Sequence, residues 1–583
     1  MTDDDRIAIV GLACRVPGAE GPAEFWANLT AGTDAVRRFS ATELTAAGLP
    51  AETANDASFV PAFGRLAGLT DFDAALFGYS AADAALLDPQ HRLFLEVAWW
   101  ALEDGGYGRP DPETQIGVFA GCAANRYLRH HLLGNPAVQP AGSLPEDWDD
   151  LLAGGTCDYL PSRVAYALDL TGPAVAVQTS CSSSLVSVCQ AAQSLLDYRC
   201  DLAIAGGAAV VSTRQIGYRH RPGGTLAADG ACRPYDADAS GQVFGNGAGA
   251  VLLKRLADAV EDDDHIYGVL AGWAVNNDGA DRAGFTAPGV TGQAAVVAEA
   301  LAAAGWQPTD VGFVEGHGSG TAIGDALEIQ SLTRAFRMHT DRSGYCVLGS
   351  VKSGIGNLDA AAGVIGLIKA VLAVRHGVIP GTLHFRRPHR DVDLAATPFV
   401  VTATEQKWAG PRRAGVSSFG LGGTNAHVLV EEPPVRPAAD GGPPWALLPL
   451  SAAGPRALRQ LAGRLVEHLD TGSDRSLTDA AYNLATGRRR LPHRAAVVAR
   501  DRSGAVAALR SLATGSEPEE ARVVGPVPAD APAELGDRAA EWLRGGEVPA
   551  TAGRRVPLPG YPFQRDRHWI EPAGPAPLTG VRP

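Results

Sequence analysis

The chain has 583 residues, 46% hydrophobic and 20% charged, which suits a globular protein with room for a large catalytic unit and a smaller one. A net charge of −14 argues against nucleic acid or an anionic membrane as the main partner. No apolar run reaches membrane-spanning length, Met1–Arg6 (MTDDDR) is acidic rather than signal-like, and the 8 cysteines contain no C-x-x-C pair. The expectation is a cytoplasmic, reduced protein with no zinc site and no disulfide framework.

In chain order, Arg6–Cys14 (RIAIVGLAC) predicts a buried strand, and Glu24–Leu29 the start of a helix. Asp88–Gly105 predicts a long amphipathic helix with Leu93, Val97, Trp100 and Ala101 on its core face. Ile116–Gly121 is a second buried strand. The stretch Val175–Tyr198 (VAVQTSCSSSLVSVCQAAQSLLDY) combines a short buried strand, Val175–Val177, with small polar residues around Cys181. Leu185, Val188, Ala192, Leu195 and Leu196 then fall at helical spacing, so a helix begins just past the cysteine. A thiol at that corner faces unpaired amides and the positive end of the helix dipole, which favour thiolate. A lone cysteine is more often a buried structural one, so the rest of the chain has to decide.

Further buried strands are expected at Ala203–Val211, Val269–Asn277, Val311–Gly316 and Val347–Gly349, giving an α/β fold with covered sheets. Glu431–Trp445 (EEPPVRPAADGGPPW) marks a linker. A second unit follows from about Ala446 to Leu512, opening on the strand-like ALLPLSA, with a helix Leu477–Thr486 capped by Ser476. A proline-rich stretch spans Gly515–Pro532, and Arg555–Ile570 (RVPLPGYPFQRDRHWI) precedes a proline-rich tail. No P-loop and no strand-linked G-x-G-x-x-G occurs, so nucleotide chemistry has no support.

Several strings stand together: TSCSSSL, CRPYDADASGQVFGNGAG, AVNNDGADRAGFTAP, EGHGSGTAIGDALE, KSGIGNLDAAAG and AGVSSFGLGGTNAH. Over Arg6–Glu432 they closely resemble, in family order, the ketosynthase domains of modular polyketide synthases. That resemblance implies a thiolase fold, α/β in αβαβα layers with two similar halves, over residues 1–432. A small α/β flanking subdomain over 433–570 and a tail over 571–583 follow. It implies a homodimer whose sheet continues across subunits, and no bound cofactor or metal. The substrate is an acyl chain delivered on the phosphopantetheine of an acyl carrier protein, and neighbouring synthase modules are the other implied partners.

Residue by residue, Cys181 matches the acyl-accepting nucleophile and His317 the first active-site histidine. Lys352 matches the supporting lysine. The amides of Cys181 and Leu421 match the oxyanion hole, a pair whose members are typically worth ~2.7–4 kcal/mol each. Ser319 and Thr321 match hydroxyls along the pantetheine arm, and Phe419 and Leu421 match substrate-binding positions. Gly420, Gly422 and Gly423 are expected to let backbone approach the thioester.

The departures bear most on function. Elongating ketosynthases carry a second histidine in a string like KSNIGHTEAAAG. Here Asn357 holds that place, with Gly354 and Asp359 beside it for the usual Asn and Glu. Leu421 stands where a gating phenylalanine is common, and Asn246 where a glutamate is common. An amide donates a hydrogen bond but exchanges no proton near neutral pH. The catalytic set Cys181, His317 and Asn357 therefore supports acyl transfer better than decarboxylative extension. Two alternatives stand beside it. One is an elongating enzyme with a Cys-His-Asn site, as in ketosynthases that initiate fatty-acid synthesis; the other is an inactive dimeric scaffold that docks carriers.

Leu448–Ser451 (LPLS) and Tyr561–Trp569 (YPFQRDRHW) resemble the flanking subdomain and closing strap of polyketide ketosynthases. No G-x-S-x-G nucleophile elbow lies between them, which resembles synthases whose acyltransferase acts in trans. Arg488, Arg489, Arg490 and Arg494 form a candidate basic patch for docking acidic carriers.

Overall fold

The computed structural model describes residues 5–109, 111–139, 155–436, 445–471, 476–515, 522–523, 530–549 and 553–573. Strands β1 (Ile7–Arg15), β2 (Ile116–Cys122), β3 (Ala174–Ala176), β4 (Leu202–Ala209) and β5 (Gly247–Arg255) form one half of a large sheet. Strands β6 (Gly268–Asn277), β7 (Phe313–Glu315), β8 (Cys346–Gly349), β9 (Phe399–Val400), β10 (Arg413–Phe419) and β11 (Thr424–Glu431) form the other. The spatial order is β9-β8-β7-β10-β11-β6-β1-β5-β4-β2-β3.

The two halves repeat one plan. From β1 outward the pairings run antiparallel, antiparallel, parallel, parallel through β5, β4, β2 and β3. From β6 outward they run in the same sequence through β11, β10, β7 and β8, with β9 added at the edge. The first strands of the halves, β1 and β6, join them antiparallel at Ile7–Ile9.

Helices α1 (Pro22–Ala31), α2 (Pro89–Asp104), α3 (Tyr159–Leu168), α4 (Ser183–Leu196), α5 (Val290–Ala304), α6 (Ala322–Phe336) and α7 (Ala362–His376) complete this body. Both α4 and α7 touch each other and strands of both halves, which makes them the central layer. Helices α2 and α3 cover the first half from outside, while α5 lies on β6 and β11 and packs with α6. Strands covered on both faces read as unbroken apolar runs, and every residue of β1, β2, β4 and β5 is buried.

Two sequence expectations are corrected by position. The strand before Cys181 is not buried as a unit: β3 is the sheet's last strand, and Val175 is 37% exposed while Val177 is buried. Nor does α2 present a solvent face, since every residue from Pro89 to Glu103 is buried. Its outer side is covered by the C-terminal strap. The Tyr561 carbonyl accepts from Trp100 Nε1 at 2.9 Å, its own amide donates to Glu103 at 2.7 Å, and Arg565 pairs with buried Glu96 at 2.9 Å.

The second unit contains β12 (Ala446–Ala452), α8 (Pro455–Asp470), α9 (Leu477–Thr486), β13 (His493–Ala499) and α10 (Arg502–Thr514). Strands β12 and β13 pair antiparallel, and Ser476 Oγ caps α9 by accepting from the Asp479 amide at 3.2 Å. Leu448, Leu450 and Leu458 share one apolar core with Phe94, Val97 and Trp100 of α2. Much of the linker and of the proline-rich stretch, 437–444, 516–521 and 524–529, lies outside the described residues, as does the tail from 574.

The arginine patch is not a free surface. Arg488 pairs with Glu103 at 2.6 Å, Arg489 donates to the Leu168 carbonyl, Arg490 pairs with Glu547, and Arg494 donates to the Trp542 carbonyl at 3.1 Å. These side chains fasten the second unit. Among the described residues no helix is long and apolar enough to cross a membrane.

Candidate active site

The central helices begin at equivalent stations of the repeat. After β3, residues Ser180–Ser182 make one tight 3-10 turn and α4 starts at Ser183; after β8, residues Asp359–Ala361 make the matching turn and α7 starts at Ala362. The first residue of each turn is left-handed, with φ 61° at Ser180 and 44° at Asp359. The two turns touch. Side-chain hydroxyls hold the first: Ser183 Oγ accepts from the Thr179 amide at 2.9 Å and donates to the Ser180 carbonyl at 2.7 Å, and Ser418 Oγ donates to the Cys181 carbonyl at 2.8 Å.

A cavity of about 570 Å³ opens beside the paired turns. Cys181, His317, Ser319, Thr321, Asn357, Phe419 and Leu421 all line it, so residues scattered over the sequence share one wall. Ser319 and Thr321 hydroxyls lie 3.0 Å apart, and Leu421 is 54% exposed at the mouth. Lys352 sits behind this wall. Its ammonium donates to the His317 carbonyl and lies 3.4 Å from Nδ1 of the same ring.

His317 follows β7 and is clamped by Glu328 of α6. That carboxylate accepts the His317 amide at 2.6 Å and the Gly318 amide at 2.7 Å. The Phe419 amide donates to His317 Nδ1 at 3.3 Å. An N–H facing Nδ1 assigns the ring proton to Nε2, making His317 a hydrogen-bond donor on that side. Burial, and then the Lys352 ammonium, hold its pKa well below the usual histidine value, so the ring is neutral.

The expected thiolate is not what the structure favours at rest. Burial first, and next the Asp359 carboxylate, push the Cys181 thiol up to about 12. The thiol donates to Asp359 Oδ1 at 3.5 Å. The helix-start geometry is present, and a like charge and lost solvation outweigh it.

Asn357 is fixed on both sides. Its Nδ2 donates to Gln242 Oε1 at 2.6 Å and its Oδ1 accepts the Asp359 amide at 3.0 Å. Gln242 also lines the cavity and was missed in the sequence, although it lies within the string CRPYDADASGQVFGNGAG. Of the other departures, Gly354 lies outside the cavity, against Leu383 and the Thr33 carbonyl. Asn246 is a buried clasp that accepts the Val211 amide at 2.8 Å and donates to the Ser212 carbonyl at 2.7 Å.

Of the three glycines of this loop, two have a local reason to be glycine. A Cβ on Gly420 would stand 2.2 Å from the Thr179 carbonyl oxygen, so only glycine lets this loop approach the nucleophile turn. Gly423 has φ 86°, but nothing approaches Gly422.

Two repeated α/β halves around a central helix pair, with a cysteine at the start of one helix, define the thiolase fold. Family comparison matches residues 4–259 to the β-ketoacyl synthase N-terminal domain and 267–386 to its C-terminal domain. Residues 446–509 match the CurL-like C-terminal segment of polyketide synthases. Ketosynthase twelve of the bacillaene synthase of Bacillus amyloliquefaciens superposes with TM-score 0.87 at 35% identity, covering 97% of this chain and 100% of that one. The oxazolomycin ketosynthase domain OzmH KS7 of Streptomyces albus gives 0.81 at 34% identity, covering 97% and 98%.

The chain belongs to the β-ketoacyl synthase family. Within it, the chain is a ketosynthase of the modular polyketide-synthase kind. It is 43% identical over 518 residues to a phenolphthiocerol/phthiocerol polyketide synthase component of Mycobacterium tuberculosis, a match covering 87% of this chain and 35% of that protein. It is 34% identical to polyketide synthase PksN of Bacillus subtilis, over 100% of this chain and 11% of that protein. The chain thus spans about a third or less of these relatives.

Proposed function

We propose that this ketosynthase accepts an acyl chain from the phosphopantetheine of an acyl carrier protein onto Cys181 and passes it on without decarboxylative extension. The observation that carries this reading is the state of Asn357. It stands in the place of the second histidine, has no proton to exchange, and has an amide N–H committed to Gln242 at 2.6 Å. Acyl transfer asks less of the site. In this reading the sulfur of Cys181 attacks the thioester, and the amides of Cys181 and Leu421 receive the developing oxyanion. His317 Nε2–H donates into the site while Lys352 steadies its loop. Ser319 and Thr321 hold the pantetheine arm, and Phe419 and Leu421 bound the acyl path. No cofactor is required beyond the carrier's own arm.

The same reading has further parts. An acyltransferase acting in trans fits the absence of a nucleophile elbow between Ser451 and Tyr561. A homodimer fits β3, which among the described residues pairs only with β2 and leaves its other edge open to a second copy. Acyl carriers and neighbouring modules are the remaining partners, in the cytoplasm.

The test offers the protein an acyl carrier and then a malonyl carrier, following intact mass and released CO₂. The expected result is an acyl adduct on wild type, none on Cys181→Ala, exchange of acyl between carriers, and no β-ketoacyl product. Robust β-ketoacyl formation by wild type assigns elongation instead. A protein that takes no acyl mass is the scaffold.

A further inference from the structure

Because Cys181 rests as a thiol, acylation needs a group to take its proton, and the other polar residues of the site are poorly placed for it. His317 carries its proton on Nε2, the consequence of an amide donating to Nδ1. Asn357 has no ionisable group, and the Lys352 ammonium is spent on the His317 carbonyl. Ser180 Oγ approaches the sulfur at 3.9 Å as a donor. The remaining contact is a carboxylate, Asp359 Oδ1, which accepts from the thiol at 3.5 Å.

We propose that Asp359 is the proton acceptor for Cys181, a catalytic residue of the transfer reaction on which this inference rests. As Sγ bonds to the carbonyl carbon of the carrier thioester, its proton moves to Asp359. The tetrahedral adduct collapses with cleavage of the bond to the pantetheine sulfur, and that sulfur takes the proton from the Asp359 carboxyl. Acyl-Cys181, a free pantetheine thiol and an ionised Asp359 remain. The reverse order hands the acyl chain to the next carrier.

The surroundings suit a proton that moves only on attack. The Asp359 amide is anchored by Asn357 Oδ1 at 3.0 Å, so the departure at position 357 also positions the carboxylate. The groups facing Asp359 are Cys181 of the nucleophile turn and Arg126 from the segment after β2, while Lys352 and Ser180 act on the thiol. Burial raises the carboxyl above its ordinary value, which brings it nearer the thiol, while the hydrogen bond from Cys181 and then Arg126 keep it from rising further.

The experiment follows acylation of Cys181 by a short acyl N-acetylcysteamine thioester, by intact mass, from about pH 5 to pH 10, in wild type and Asp359→Asn. Asparagine tolerates the left-handed backbone at this position, so the turn is kept. Near pH 7 the variant should be slower than wild type by more than tenfold, in the range of roughly 10²–10⁴-fold typical of a positioned acid–base group. Its rate should climb about tenfold per pH unit with the thiolate fraction, whereas wild type levels off once the carboxyl is ionised.

A variant rate within tenfold of wild type, or faster, overturns the proposal. Loss of a neighbouring negative charge alone would free thiolate and speed the attack. Where the variant lacks a cooperative melt, the wild-type profile decides, and a tenfold climb per unit with no plateau overturns the assignment. Wild type that takes no acyl mass at any pH overturns the transfer reading together with it. Condensation by wild type, read separately as CO₂ and β-ketoacyl product, overturns only the claim that extension is absent.

Discussion

Replacing Asn357 by histidine tests whether a missing proton-exchanging group blocks extension, and the structure says the single change will fall short. The Asn357 amide donates to Gln242 Oε1 at 2.6 Å, and an imidazole in its place meets the same carbonyl. A hydrogen bond of this kind is worth about 0.5–1.5 kcal/mol net, which at ~1.4 kcal/mol per decade holds the ring away from substrate by roughly 2- to 12-fold. Removing the acceptor as well, in Asn357→His with Gln242→Ala, releases the ring. The double variant should therefore decarboxylate malonyl carrier roughly 2- to 12-fold faster than Asn357→His alone. Both should exceed wild type, toward the 10²–10⁴-fold scale of general acid–base catalysis. Single-turnover release of CO₂ and formation of β-ketoacyl carrier are the readouts. Equal rates in the two variants remove Gln242 from the account. If neither exceeds wild type, the missing proton is not what blocks extension.

Two further outcomes follow from burial and topology. The open edge of β3 should hold a second copy, so light scattering at micromolar concentration should give a dimer, with an obligate-type interface of about 2,000–5,000 Å² or more; a monomer refutes it. Burial raises the Asp325 carboxyl from 3.8 to about 7, while the unfolded chain releases that proton near 3.8. Between those values the unfolded state binds fewer protons, so this group's contribution to stability is lost as pH rises from about 4 to 7. The stability of wild type relative to Asp325→Asn should fall over that window in denaturant titrations, and a flat or rising difference contradicts the assignment.

Much of the body was legible because covered strands leave plain apolar runs, as at Ile7–Arg15 and Leu202–Ala209. The site strings were legible because together, and in order, they resemble ketosynthase motifs, where a lone Cys181 would read as a structural cysteine. Position within the sheet was not. Val175 has the apolar character of a core strand, yet β3 ends the sheet and leaves it exposed. The periodicity of α2 shows one apolar face, while its polar residues Glu96 and Glu103 are buried against Arg565 and Arg488 from far along the chain. The arginine cluster likewise looked like a docking patch because its carbonyl and carboxylate partners lie in distant segments. Gln242 lay inside one of the quoted strings, but its contact with Asn357, 115 residues further on, exists only in the folded chain.

The protonation of Cys181 shows why local motif reasoning reached the wrong resting state. A helix start favours an anion within its first turn, and that inference is sound for α4 alone. The repeat, however, brings the start of α7 against the start of α4, and at that second start stands Asp359. Two unit negative charges 3.5 Å apart repel by about 5 kcal/mol at an effective dielectric near 20, so the paired turns host one charge comfortably rather than two. A carboxyl takes that charge more readily than a thiol, by several units in ordinary pKa. The carboxylate therefore holds the anion at rest, and the sulfur keeps its proton until a thioester arrives to take the electron pair. On this account the helix dipoles do not make a standing thiolate. They hold the carboxylate in place beside the thiol, and the nucleophile is generated only in the act of transfer.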